Sequence, residues 1–215
     1  MPNTPALELR DVSKRYGSHW AIARLNYTLP VGRSLLLTGE NGAGKTTLLR
    51  MMATAAFPTA GEVLLFGQST RHHYAQLRTH IGLLSPQTFL YENLTAFQNL
   101  SLAAQLAGLR NATAKVNSLL ERMGLTAQAK NHVRQFSTGM RKRLAIARLF
   151  IKTPKLALLD EPFTGLDEAG TARMEELILE LQASSTTVVM ATHLTKRGQA
   201  LTQERLHLAH GRSAP

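Results

Sequence analysis

The segment Gly39-Glu40-Asn41-Gly42-Ala43-Gly44-Lys45-Thr46-Thr47 has the composition and spacing of a loop that cradles a chain of phosphates. Its glycines let main-chain N–H groups curl around phosphate oxygens, and a helix starting there adds the positive end of its dipole. Lys45 reaches the β- and γ-phosphates as a compact charge, and the Thr46 hydroxyl is suited to ligate Mg2+. Gly39, Asn41, Gly42, Ala43, Gly44 and Thr47 complete the nucleotide-binding set. A second constellation is Asp160-Glu161, at the end of the apolar run Leu156-Ala157-Leu158-Leu159. Asp160 there holds Mg2+ through water, while Glu161 orients an attacking water and accepts its proton. An acidic pair at a strand end often only begins a loop. The phosphate loop upstream favours the chemical reading.

These residues need a scaffold that aims them at one point. Ser34-Leu35-Leu36-Leu37-Thr38 is a continuous apolar run, as expected of a strand buried on both faces of a parallel sheet, and it leads directly into the glycine loop. Leu48 to Ala55 then reads as a helix. Leu156 to Leu159 and Thr187 to Met190 repeat the buried-strand pattern, separated by the amphipathic stretch Glu168 to Leu181, which makes a parallel crossover unit. Leu7 to Val12 and Leu25 to Leu29 alternate apolar with polar residues and predict an antiparallel lobe. Glu62 to Phe66 and Ile81 to Leu84 read as further strands, and Arg205 to Gly211 as a closing edge strand. From about Thr95 to Gly124, Leu94, Phe97, Leu100, Val116, Leu119, Leu120 and Met123 recur at helical spacing, and a further helix follows Phe136. The expected fold is α/β, with an antiparallel lobe, a parallel-sheet core and a helical insertion. A single domain over 1–215 is expected, with the lobe and core in 1–90 and 155–215 and the helical subdomain in 91–154.

Composition narrows the partners. At 215 residues, 44% hydrophobic and 18% charged, the chain is a globular protein of one ordinary domain. Without cysteine it has no disulfide, thiol nucleophile or thiolate metal site. No apolar run reaches eighteen residues, and Met1-Pro2-Asn3-Thr4-Pro5 lacks the start of a secretory signal. The formal charge of +11 favours contact with something anionic. Arg134, Arg141, Lys142, Arg143, Arg148, Lys152 and Lys155 form a basic cluster that nucleic acid, anionic lipid or nucleotide phosphate would each explain. His207 and His210, three apart on an expected strand, should face opposite sides and share no metal.

From Leu7 to Gly211 the chain resembles the ABC ATPases. The resemblance implies a β lobe, a RecA-like parallel core and a helical subdomain, with ATP and Mg2+ bound. It assigns Tyr16 to adenine stacking, Gln87 to Mg2+ or the attacking water, and His193 to the γ-phosphate. Phe136-Ser137-Thr138-Gly139-Met140 matches the family's Leu-Ser-Gly-Gly-Gln signature at Ser137 and Gly139, which in the family bind the γ-phosphate held by the other subunit. Asp167, in Thr164-Gly165-Leu166-Asp167, belongs to a loop that crosses between subunits. Thr138 and Met140 depart from the signature and bear on hydrolysis rate rather than class.

The resemblance also implies partners. A second ATPase subunit packs head to tail, as a homodimer, and integral membrane permease subunits are served from the cytoplasmic face of the inner membrane. No stable nucleic-acid partner is expected, because family members with that role carry two ATPase units or a long coiled coil. From the short chain, no regulatory C-terminal domain is expected. Its length, Asp160 to Asp167 and Arg148-Leu149-Phe150 resemble the haem-exporter ATPases of cytochrome c maturation, with another small exporter of ions, drugs or small molecules as the alternative. Phe89, Leu90 and Tyr91 form an apolar patch expected to receive a cytoplasmic helix of the permease.

Overall fold

In the computed structural model, which describes residues 4–214, the N-terminal alternation becomes a hairpin of β1 (Leu7–Tyr16) and β2 (His19–Leu29). Residues 1–3, which begin the segment read above for a secretory signal, lie outside the described residues. Both strands are longer than the alternation predicts. Register shifts between Leu9 and Arg15 break the two-residue period, so Ser13 to Tyr16 and His19 to Arg24 carry no clean pattern.

Next come β3 (Ser34–Thr38), α1 (Lys45–Met52), β4 (Ala60–Leu65), β5 (Gln68–Ser69), the short α2 (Tyr74–Leu77) and β6 (Ile81–Leu84). The middle of the chain holds α3 (Ala96–Leu106), α4 (Thr113–Arg122) and α5 (Thr138–Ile151). It ends with β7 (Leu156–Asp160), α6 (Glu168–Ala183), β8 (Thr187–Ala191), α7 (Thr195–Leu201), β9 (Glu204–Ala209) and β10 (Arg212–Ala214). The expected closing strand is therefore not the edge. β9 pairs in parallel with β3, and β10 folds back antiparallel to become the rim of the sheet.

The strands form a four-stranded antiparallel sheet, β2-β1-β4-β5, and a six-stranded sheet, β10-β9-β3-β8-β7-β6. In the second, β3, β6, β7, β8 and β9 run parallel, as the crossover connections require. Its central strands are apolar throughout because they have no wet face. Leu35, Leu37, Leu156, Leu158, Val189 and Ala191 face the antiparallel sheet and α1. Leu36, Ala157, Leu159, Val188 and Met190 face α3 to α6. One alternation thus serves two cores.

Helix α3 begins with a reciprocal cap. Thr95 Oγ1 accepts from the Gln98 amide at 3.1 Å, and the Gln98 side chain accepts from the Thr95 amide at 2.9 Å. Thr95→Ala is expected to cost about 1 kcal/mol, read as a lower midpoint of urea unfolding. An unchanged midpoint would remove the box from the list of stabilising contacts.

Candidate functional site

The site stands at the carboxyl ends of β3, β7 and β8, three adjacent strands, so loops far apart in sequence emerge side by side. After β3 the chain turns through Gly39 (φ 142°) and Gly44 (φ 105°), conformations that disfavour any side chain. A Cβ on Gly39 would lie 2.2 Å from the Leu208 carbonyl oxygen. The loop is pressed against β9 on that side.

Lys45 turns its ammonium back onto the loop, donating to the Gly39 and Glu40 carbonyls at 2.6 and 2.9 Å. Thr46 donates from Oγ1 to Asp160 Oδ2 at 2.9 Å, which brings the two expected Mg2+ residues together from positions 114 apart. Burial pushes the Asp160 carboxyl above the ordinary carboxylate range, and the hydrogen bond from Thr46 opposes that shift. A hydroxyl beside a carboxylate is an all-oxygen donor pair suited to a hard divalent cation, so these residues fit Mg2+. Thr47 is half-buried in the first turn of α1, and Asn41 and Gly42 are exposed at the loop's tip with Ala43 buried beneath.

Glu161 follows β7 with φ at 50°, a left-handed conformation uncommon for a non-glycine residue. Its amide donates to the Ala191 carbonyl at 2.8 Å. Its carboxylate faces His193: Oε1 accepts from the His193 amide at 3.1 Å and Oε2 lies 2.8 Å from Nδ1. Thr192 Oγ1 donates to the same carboxylate at 3.3 Å. The two residues expected to act on the γ-phosphate end of a nucleotide are therefore bonded to each other.

Among the described residues, the other expected ones make no hydrogen bond to this cluster. Gln87 is exposed, and the bond at that position is its carbonyl accepting from Ser85 Oγ at 2.5 Å. Tyr16, 48% exposed at the end of β1, has the Lys14 ammonium 5.0 Å from its ring centroid. Beyond the hairpin turn, His19 and Trp20 border a cavity of about 360 Å3 with Glu40 to Ala43 of the phosphate loop, His207 and His210. The two C-terminal histidines both border this cavity; the strand ends at Ala209, and His210 follows it with φ at 48°. Among the described residues no group of three or more potential ligands forms a metal site.

Ser137, Gly139 and Asp167 line a separate cavity of about 570 Å3, in which no residue of the phosphate loop takes part. Ser137 caps α5, its Oγ accepting from the Met140 amide at 3.3 Å, and Asp167 caps α6, accepting from the Gly170 amide at 2.8 Å. A Cβ on Gly139 would meet nothing within 4 Å, so the main chain there is open to approach from outside.

The basic cluster does not form one solvent-facing patch. Arg141 pairs with Glu92 at 2.5 Å, while Arg143, Arg148 and Lys152 donate to the carbonyls of Met123, Phe89 and Arg78. Lys142 is buried and donates to the Glu161 carbonyl at 3.0 Å. Burial pushes its ammonium below the usual lysine value, and the carboxylates of Glu161 and Asp160 push it back. Lys142 and Thr192 are site neighbours that motif reading overlooks. For Lys142 a signal exists: it shares a helical stripe with the buried Ala145, Ile146 and Leu149. The apolar patch also divides, with Phe89 and Tyr91 each 58% exposed and Leu90 packed against the core.

Residues 22–164 match the family described as ABC transporter. The chain is 34% identical to the bacitracin transport ATP-binding protein BcrA of Enterococcus faecalis, over 87% of this chain and 61% of that protein. It is 34% identical to the Nod factor export ATP-binding protein I of Ralstonia nicotianae, over 98% of this chain and 66% of that protein. It therefore spans less than two thirds of either relative's length. A bacterial ABC transporter cassette solved as a dimer superposes with a TM-score of 0.89 at 25% identity, covering 97% of each chain. A phosphate loop joined through Thr46 to Asp160, a Glu161–His193 pair on the neighbouring strand ends and this family match lead to one statement: the chain belongs to the ABC transporter family and has its ATPase fold.

Proposed function

We propose that this chain binds and hydrolyses ATP as the ATPase subunit of an ABC exporter, at sites completed by a second copy arranged head to tail. The observation that carries the reading is the division of the expected ligands. Lys45, Thr46, Asp160, Glu161 and His193 gather at the strand ends, whereas Ser137, Gly139 and Asp167 border another cavity with the Gly139 main chain left open. Two half-sites on one chain imply two chains, each supplying what the other lacks. The cassette solved as a dimer supports an assembly of two chains.

In this reading the loop amides and Lys45 bind the phosphates, Tyr16 offers its exposed ring to adenine, and Glu161 takes the proton of the attacking water. His193, bonded to Glu161, sets the direction of that carboxylate. Thr46, Asp160 and Gln87 are the residues that would hold Mg2+, which when bound neutralises charge on the phosphates.

The permease would sit against Phe89 and Tyr91, and the ATPase would lie on the cytoplasmic face of the inner membrane. No helix of the described residues is long and apolar enough to cross a membrane. Cargo follows the permease. The relatives are named for bacitracin and Nod factor, which supports a small exporter other than a haem exporter; haem export keeps the support of Asp160 to Asp167 and Arg148 to Phe150 alone.

The test is ATPase activity of the purified chain together with its recovery in membrane complexes. The Phe89→Asp, Tyr91→Asp double variant is expected to retain ATP binding and lose most membrane-complex recovery in a tagged pull-down. Full recovery of the complex would exclude this face.

A further inference from the structure

We propose that Lys142 is the positioning residue for Glu161, holding the main chain of the general base in place from the helix that Ser137 begins. This rests on the ATPase reading above.

Three anchors fix Glu161. Its amide is held by the Ala191 carbonyl of β8, and its carboxylate by His193 and Thr192 beyond β8. The third is its carbonyl, which accepts from the Thr164 amide at 3.3 Å within its own loop and from Lys142 Nζ at 3.0 Å, and the lysine bond is the one that comes from α5. A left-handed φ of 50° at a glutamate persists only where the surroundings determine it, and the peptide is clamped from both sides.

A lysine is a costly choice for this position. Lys142 is 5% exposed, on the stripe that carries Ala145, Ile146 and Leu149 into the core. A buried ammonium is destabilising unless it is bonded and faces opposite charge. A methionine of similar length would fill the space at lower cost but could not hold the carbonyl. The charge is accounted for by what it touches.

Lys142 lies five residues beyond Ser137, about 7.5 Å of helix rise. One end of α5 is the expected contact for the nucleotide of the second copy, and Lys142 fixes this chain's own base. The contact expected at Ser137 and the anchor of Glu161 thus lie on one helix.

The experiment compares wild type, Lys142→Met and Lys142→Arg for kcat and KM, and compares E161Q with an E161Q, K142M double variant for ATP-driven dimerisation by size exclusion. Lys142→Met is expected to lower kcat about 10- to 100-fold at unchanged KM. Lys142→Arg, which keeps a charged donor, should recover part of the loss, and both E161Q and the double variant should dimerise with ATP to the same extent. Wild-type kcat in K142M overturns the inference. So does loss of dimerisation in the double variant, which would mean that α5 is disrupted and not that Glu161 is misplaced. A wild-type chain without ATPase activity would overturn the ATPase reading and this inference with it, whereas an active wild type with an equally active K142M overturns this inference alone.

Discussion

Glu161→Gln is expected to lower ATP turnover by about 10²- to 10⁴-fold while leaving ATP affinity in place. The amide has nearly the shape of the carboxylate and keeps an oxygen for the His193 amide, now at 3.1 Å from Oε1. It has no basic oxygen to take a proton from water. The residues proposed to bind phosphate, Lys45 and the loop from Gly39 to Thr47, make no hydrogen bond to the Glu161 side chain, so binding and chemistry should separate cleanly. Phosphate release and equilibrium nucleotide binding, measured on the same preparation, distinguish the two. Undiminished release would remove Glu161 as the base, and lost binding would mean that it supports the loop instead.

Gly44→Ala should damage the loop with a single methyl group. Gly44 has φ at 105°, and a Cβ there would lie 2.4 Å from the Ala21 carbonyl oxygen and 2.6 Å from Ile22 Cδ1. Backbone strain and overpacking together should remove on the order of 3 kcal/mol. For a chain of this size the melting temperature should fall by roughly 6–12 °C. ATP affinity should fall as well, because the clash is relieved only by moving the loop off β2. Gly42→Ala is the control: φ is 83° but a Cβ meets nothing within 4 Å, so only strain acts. Equal melting temperatures for the two variants would show that contact with β2 contributes nothing.

What could be read from residues alone was local chemistry in a strongly patterned setting. The glycine loop between a run of buried leucines and a helix, and Asp160-Glu161 after another such run, each needed one stretch of chain. Buried parallel strands were legible because both of their faces are apolar, and β3, β7 and β8 appear within one residue of their expected ends. The antiparallel hairpin was underestimated because bulges reset the face of each side chain, and no composition signal survives that. The rim strand β10 is only Arg212–Ala214, too short for periodicity to register. The bond between Lys142 and Glu161 was hidden for another reason. Lys142 sits between Arg141 and Arg143, and a run of cations reads as one face until helical phase divides it.

The cavity beside the phosphate loop has a practical consequence. Trp20 is the sole tryptophan of the chain, 45% exposed, and it shares that cavity with Glu40, Asn41, Gly42 and Ala43. Indole emission depends on the polarity and quenchers around the ring, and here the one indole stands next to that loop, with the Arg15 guanidinium 5.4 Å away. The molecule therefore carries its own optical reporter. Titrations of any variant elsewhere in the chain can be followed at one wavelength without a dye, a label or an added chromophore.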